Sequence, residues 1–293
     1  MDFSALLKRY YKAAIVVIAV TILYRQVLLD LFSDWWNDSN YSHGLVLPFV
    51  VLWLIWRRRR QLESLPSAPS NFGLAVILGS VGVYFLGFIG AELFLMRTSL
   101  LFLICGLVLF FFGWRHLKMV TFPIAIMFLA IPLPAVIFYQ LTFPLQLLAS
   151  KLGSSFLEMS HVPVLREGNV IVLPNITLEV AEACSGVRSL FTLATLTILY
   201  GYLLEDSAAM RIFLIALTIP LALFCNGLRI MGTGVLAHYV SPEMSEGFFH
   251  TFSGWFIFVV ALASLVAVHK GLRLLWKSPQ LKNETAEHSL IPT

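Results

Sequence analysis

The stretch EACSGVRSL, Glu182–Leu190, places a cysteine, two serines and an arginine where a long apolar run begins. A membrane anchor has no use for those side chains. They are the types that nucleophilic chemistry needs. A thiolate is the reactive form of cysteine, and nearby positive charge or a helix N-terminus lowers the thiol pKa. Further on, NGLR (Asn226–Arg229) and FHTFSGW (Phe249–Trp255) supply an arginine and a histidine. An imidazole can take the thiol proton and later deliver one to a leaving amine. A guanidinium can stabilise an oxyanion, orient a carbonyl or bind a carboxylate. Arg188 lies four residues after Cys184, on the same helix face, where it can serve the same pocket or hold Glu182. Asn226, one turn before Arg229, is placed to hydrogen-bond it or a substrate.

These residues must be positioned by membrane helices. The chain has 293 residues, 59% hydrophobic and 12% charged, with a mean hydropathy of +0.85. A soluble domain of this length needs a more polar surface. The basic balance, net charge +4, falls beside hydrophobic runs. That pattern sets membrane orientation and argues against a nucleic-acid partner. Three cysteines (Cys105, Cys184, Cys225) without close pairing give no disulfide framework, and no Cys/His cluster has metal-site spacing, so no metal or other cofactor is expected.

The expected fold is an all-α polytopic membrane protein of about eight transmembrane helices. The candidate spans are Ala13–Leu31, Gly44–Trp56, Phe72–Gly90, Leu93–Phe112, Met119–Phe138, Gly186–Leu204, Ile212–Leu228 and Phe249–Val268. They form a single multispanning domain over 1–277, with a short polar tail over 278–293. The apolar N-terminal stretch follows Lys8, Arg9 and Lys12 and reads as a retained signal anchor. Residues 139–183 form the longest loop. Its first part, Leu141–Met159, reads as an interfacial amphipathic helix. Its second part carries turn signals at Glu167-Gly168-Asn169 and Pro174-Asn175, and alternates over Ile176–Val180. A small β-hairpin before the sixth span is expected there.

Eight crossings put both termini on one side. That side collects 14 of the 20 Lys and Arg residues, including the run Arg57–Arg60, and is therefore the cytoplasm. The sixth and eighth spans each rise roughly 30 Å, and the seventh about 27 Å. Cys184, Arg229 and His250 accordingly all fall at the outer edge of the bilayer, on three consecutive spans. Depth alone does not choose among the outer histidines His43, His161, His238 and His250.

EACSGVRSL, NGLR and FHTFSGW resemble, in order and spacing, the three motif blocks of the exosortase/archaeosortase family. YSHGLVLP (Tyr41–Pro48) is similar to its early block, and the resemblance covers about residues 30 to 275. Members are multispanning membrane proteins viewed as cysteine transpeptidases or proteases. The resemblance implies Cys184 as nucleophile, with Arg229 and His250 completing the catalytic set; by position, Arg188, Asn226, Glu182 and His43 are candidates to support it or to bind substrate. It implies exported protein substrates that carry a short C-terminal motif (Pro-Glu-Pro in the best-known class), a transmembrane segment and a basic tail. Processing would occur at the outer face of the cell membrane, among its lipids. Two other classes fit part of the pattern: a membrane transporter, and a non-catalytic subunit of polysaccharide export.

Overall fold

The computed structural model describes residues 3–180, 186–241 and 247–288. The chain divides into two compact units, Met1–Phe138 and Tyr139–Thr293.

The first unit contains α1 (Phe3–Leu23), α2 (Arg25–Asn37), a 3-10 turn at Ser42–Leu45, α3 (Leu47–Arg57) and α4 (Arg59–Ser64). These are followed by α5 (Phe72–Ile89), α6 (Leu93–Phe112) and α7 (Trp114–Ile126). α8 (Ala135–Met159) crosses into the second unit. There it is followed by strands β1 (Leu165–Glu167), β2 (Val170–Val172) and β3 (Thr177–Glu179), then α9 (Val187–Leu204), α10 (Ala208–Tyr239) and α11 (Gly247–His288).

Among the described residues, α5, α6, α8, α9, α10 and the Phe252–Leu275 part of α11 are long and apolar enough to cross a membrane. The pair 14–23 and 25–37, bent by 69°, makes a seventh if it is one span. Large side chains such as Leu86, Phe88 and Ile89 are exposed on these helices, as suits a surface solvated by lipid rather than water.

Two of the sequence-based spans differ. Gly44–Trp56 is the eleven-residue α3 preceded by the 3-10 turn. Met119–Phe138 is broken: α7 ends at Ile126, a 3-10 turn covers Met127–Ala130, and α8 begins at Ala135. Pro132 and Pro134 explain the break, because each removes a backbone donor and disfavours helix at the preceding residue. The segment read as interfacial, Leu141–Met159, is the larger part of α8. By length and composition α8 stands among the candidate spans, with the lowest hydropathy of the six, 1.2.

The break at 127–134 is held by Trp35 of α2 and by the early block YSH. Trp35 Nε1 donates to Ala130 O (2.7 Å), His43 Nε2 lies 3.0 Å from Leu129 O, and Leu133 N donates to Tyr41 Oη (3.1 Å). Deeper in this unit α6 carries Arg97, buried and ion-paired with Asp34 at 2.6 Å. A charge inside a span needs such a partner. Tyr24 Oη and Ser99 Oγ, 2.9 Å apart, close the polar cluster.

In the second unit the loop forms three antiparallel strands in the order β1-β2-β3 rather than a single hairpin. Both predicted turns are used, and two turns give three strands. Ile171, paired with Arg166 on one side and Leu178 on the other, enters a core with Leu173, Val180, Leu157 of α8 and Ile230 of α10. A Cβ placed on Gly153 would meet Ile230 at 2.5 Å, and one on Gly234 would meet Leu157 at 2.7 Å. These glycines let the Ile230 and Leu157 side chains press onto the facing helix, so that α8 and α10 approach closely. That contact explains why α10 runs on to Tyr239, ten residues past Arg229, where the hydropathy pattern alone had ended near Leu228.

At the other end of this unit, Glu205 caps α9 beneath α11. Its carboxylate accepts from His269 Nε2 (2.8 Å) and from Ser207 N (2.9 Å), while Tyr200 Oη and His269 Nδ1 are 2.7 Å apart. The His269 hydrogen bond, more than any other influence, holds the Glu205 carboxyl below its usual pKa. A depressed carboxylate pKa contributes stability that is complete above the unfolded value, about 4.3, and is lost as pH falls through the folded one. Glu205→Gln is therefore expected to flatten the acid side of the melting-temperature profile measured in detergent below about pH 4.3. An unchanged acid limb in that variant would show that Glu205 is not its source.

Candidate functional site

α9 starts at Gly186, whose φ of +75° lies in the left-handed region that favours glycine. A Cβ there would come within 2.9 Å of the Asn226 side chain on α10. The start of α9 therefore rests directly on Asn226, which is itself buried. Gly186→Ala is expected to lower stability by about 2 kcal/mol or more, from left-handed strain and overpacking together. Melting of the variant in detergent checks this. A melt matching the parent would mean that Asn226 yields without cost.

One turn after Asn226, the Arg229 guanidinium lies against α11. A Cβ on Gly254 would be 3.4 Å from its Cζ and 3.5 Å from an Nη. A methyl at 254 would touch the guanidinium at ordinary contact distance, whereas a larger side chain would compete for its space. Gly186, Ser189, Asn226, Arg229, Gly254 and Phe258 line one narrow cleft between α9, α10 and α11, with a cavity volume of about 10 Å³ that is partly open to solvent. Its floor is closed by the apolar contact of Leu193, Ala222, Cys225 and Ala261. An arginine, an amide and a hydroxyl thus share a hollow with apolar walls, where charge interactions are strengthened by the low dielectric. An intramembrane arginine facing such a hollow marks a candidate functional site.

The placement of the sequence-predicted residues is uneven. Arg229 and Asn226 line the cleft. Cys184 and Glu182 lie outside the described residues, two and four positions before Gly186. His250 belongs to α11 by its backbone, one turn before Gly254, and its side chain is outside those described. Arg188 is exposed in the first turn of α9; Ser189, its neighbour, lines the cleft instead. His43 belongs to the first unit, where it is bonded to Leu129 O; burial, against the pull of that carbonyl, lowers its pKa. His238 lies in the last turn of α10, and His161 lies two residues past the end of α8 with φ +59°. Among the described residues no three His, Cys, Asp or Glu groups come together as a metal site.

Arg229 does not end its helix; ten further residues of α10 follow it. It meets α9 and α11 through side-by-side packing and not because three helices stop at one level. Ser189 and Gly254 were not singled out from sequence. Their signal was spacing in the sequence, since Ser189 comes four positions after Ser185 and Gly254 four after His250.

The model of the family Transmembrane exosortase (Exosortase_EpsH) matches residues 35–267. This chain is an exosortase-family protein. The match runs from α2 through the apolar part of α11 and contains every element of the cleft. No curated protein and no solved structure matches the chain. In this exosortase the three motif blocks map onto three packed helices. CSG leads into α9, NGLR lies within α10, and FHTFSGW lies near the start of α11.

Proposed function

We propose that this exosortase is a membrane cysteine protease or transpeptidase that removes the C-terminal sorting segment of exported proteins. Both termini face the cytoplasm, and the cleft opens at the outer face of the cell membrane. The observation that carries the reading is the meeting of Gly186, Arg229 and Gly254 at one cleft. Cys184 is two peptide units from Gly186, so its Cα lies within about 7.6 Å of that corner. His250 is one helical turn from Gly254, about 6 Å along α11. A thiol, an imidazole and a guanidinium are thus tethered to the same hollow.

The chemistry divides into two steps. The His250 imidazole accepts the Cys184 thiol proton, and the thiolate attacks the carbonyl carbon of the scissile peptide. Arg229 stabilises the resulting oxyanion, with Asn226 holding the guanidinium or the substrate backbone. The tetrahedral species collapses, the C–N bond breaks, and the imidazolium protonates the departing amine. The product is a thioester on Cys184 and a free anchor segment. Water or an amine then attacks the thioester and expels the thiolate, giving hydrolysis or transfer. The substrate is an exported protein with a short motif such as Pro-Glu-Pro, a single span and a basic tail. Its tail stays on the cytoplasmic side for the same reason that Arg57–Arg60 do.

The test is co-expression with a tagged substrate of that design, followed by mass spectrometry of the new C-terminus. A free carboxylate marks hydrolysis, and an added amine marks transfer. A substrate left at full length by the parent protein, across motifs of this class, would remove the proposal.

A further inference from the structure

The cleft at Arg229 holds about 10 Å³, space for roughly one water or one carbonyl oxygen. It cannot take the residues that flank a scissile bond, so those residues must be held by something beside it. The three-stranded sheet lies there. Val180, just past the end of β3, shares a buried cluster with Ile230, the residue after Arg229. Cys184 follows Glu179 by five positions, at most about 18 Å of extended chain.

The hydrogen bonding of β3 leaves one side of it open. Leu173 N donates to Ile176 O and Val180 N to Asn169 O, both at 2.8 Å, on either side of the pair Ile171–Leu178. Ile176, Leu178 and Val180 therefore turn their backbone groups toward β2, since the direction alternates along a strand. Thr177 and Glu179 turn theirs the other way. β3 is the last strand in the order β1-β2-β3, so no described strand covers that side, and both residues are exposed. The edge is fixed from behind, because Ile176 and Leu178 pack on the buried cluster that contains Val180. The opposite edge differs. On β1 the same alternation turns only Arg166 outward, and its guanidinium donates back to Gly168 O at 2.8 Å. Outward donors and acceptors two residues apart on an exposed edge are a template for another extended chain.

We propose that β3 receives the extended substrate segment beside the scissile bond as a fourth strand, hydrogen-bonded to the N–H and C=O groups of Thr177 and Glu179. The identity of that segment rests on the processing reading above. Pairing along the backbone sets the register of the segment, and with it which carbonyl reaches the hollow at Arg229.

The test reads binding, not cleavage. The full-length Cys184→Ala chain in detergent is titrated with a fluorescent peptide made of a Pro-Glu-Pro motif, its flanking residues and a short apolar anchor. Each backbone nitrogen of the flanking residues is methylated in turn. Methylation at two residues two positions apart is expected to weaken binding about tenfold each, and at the residue between them less than about twofold. Glu179→Pro removes one outward N–H without touching the bonds to β2 and is expected to weaken binding about fivefold or more. Arg166→Pro makes the same change on the opposite edge and is expected to leave binding within about twofold. Should either proline variant fail to fold, the methylation series on the unaltered sheet gives the answer alone. Absence of binding by the unmethylated peptide overturns the proposal, as do methylation effects without alternation and equal losses in the two proline variants. A chain that dimerises through this edge, with the dimer lost in Glu179→Pro, would assign the edge to a second copy and overturn it too. Alternation in binding with no cleavage by the parent protein would leave the edge standing and remove the processing reading; cleavage without alternation would do the reverse.

Discussion

Cys184→Ala is expected to cut processing of a sorting-signal substrate by at least about a thousandfold while the chain still inserts and folds. The substitution removes the sulfur and adds no charge or bulk. Cys184→Ser is expected to behave nearly the same, because a hydroxyl is far less acidic than a thiol and gains little from the same neighbours. A membrane-impermeant thiol reagent supplies an independent readout. Cys225 is buried in the helix contact and Cys105 is half-buried within α6, so external labelling of the parent reports chiefly on Cys184. Labelling that disappears in the alanine variant, together with lost processing, is the expected pair of results. Undiminished processing by Cys184→Ala would falsify the mechanism outright.

Arg229→Gln is expected to lower the processing rate by roughly a hundredfold to a thousandfold, the range seen when one donor to a developing oxyanion is removed. Poor membrane insertion cannot account for such a loss. Removing a charge from a span makes insertion easier. Arg229→Lys separates charge from shape. Lysine restores the positive charge but not the planar fork, so it is expected to recover about tenfold of the loss and no more. Full recovery with lysine would mean that Arg229 acts as a point charge. Equal activity in the Arg229→Gln variant and the parent enzyme would remove Arg229 from the mechanism. Gly254→Leu offers a complementary probe, because its side chain would occupy the space against the guanidinium and should reproduce much of the arginine defect with Arg229 still present.

Much of this architecture was readable from residues alone, and the failures have physical causes. α9 and α6 fall within a residue of their expected limits because each is a single apolar run between clear breakers. The 119–138 span failed because a hydropathy window averages over Pro132 and Pro134, whereas a backbone cannot. The far end of α10 was missed because Ile230–Tyr239 is stabilised by contact with α8 at Gly153 and Gly234, and such a contact between distant segments leaves little trace in local pattern. At the cleft, Arg229 and Asn226 announced themselves as polar groups in apolar sequence. Gly254 and Gly186 contribute by lacking a side chain, so their importance appears only when a neighbour is seen to occupy the space. The Glu205–His269 pair joins residues 64 positions apart, and a pair so distant along the chain leaves no local signature.

The continuation of α10 beyond Arg229 bears on how a substrate is measured. Ten residues of helix add about 15 Å to that wall of the cleft, and the three-stranded sheet is fastened to it through Ile230. If the proposed processing of membrane-anchored substrates holds, the cleft is a recess with a raised parapet rather than an open ledge, and a scissile bond placed a few residues too far from its own anchor would be carried above the reactive level. Spacer length between motif and anchor would then select substrates as sharply as the motif's own side chains.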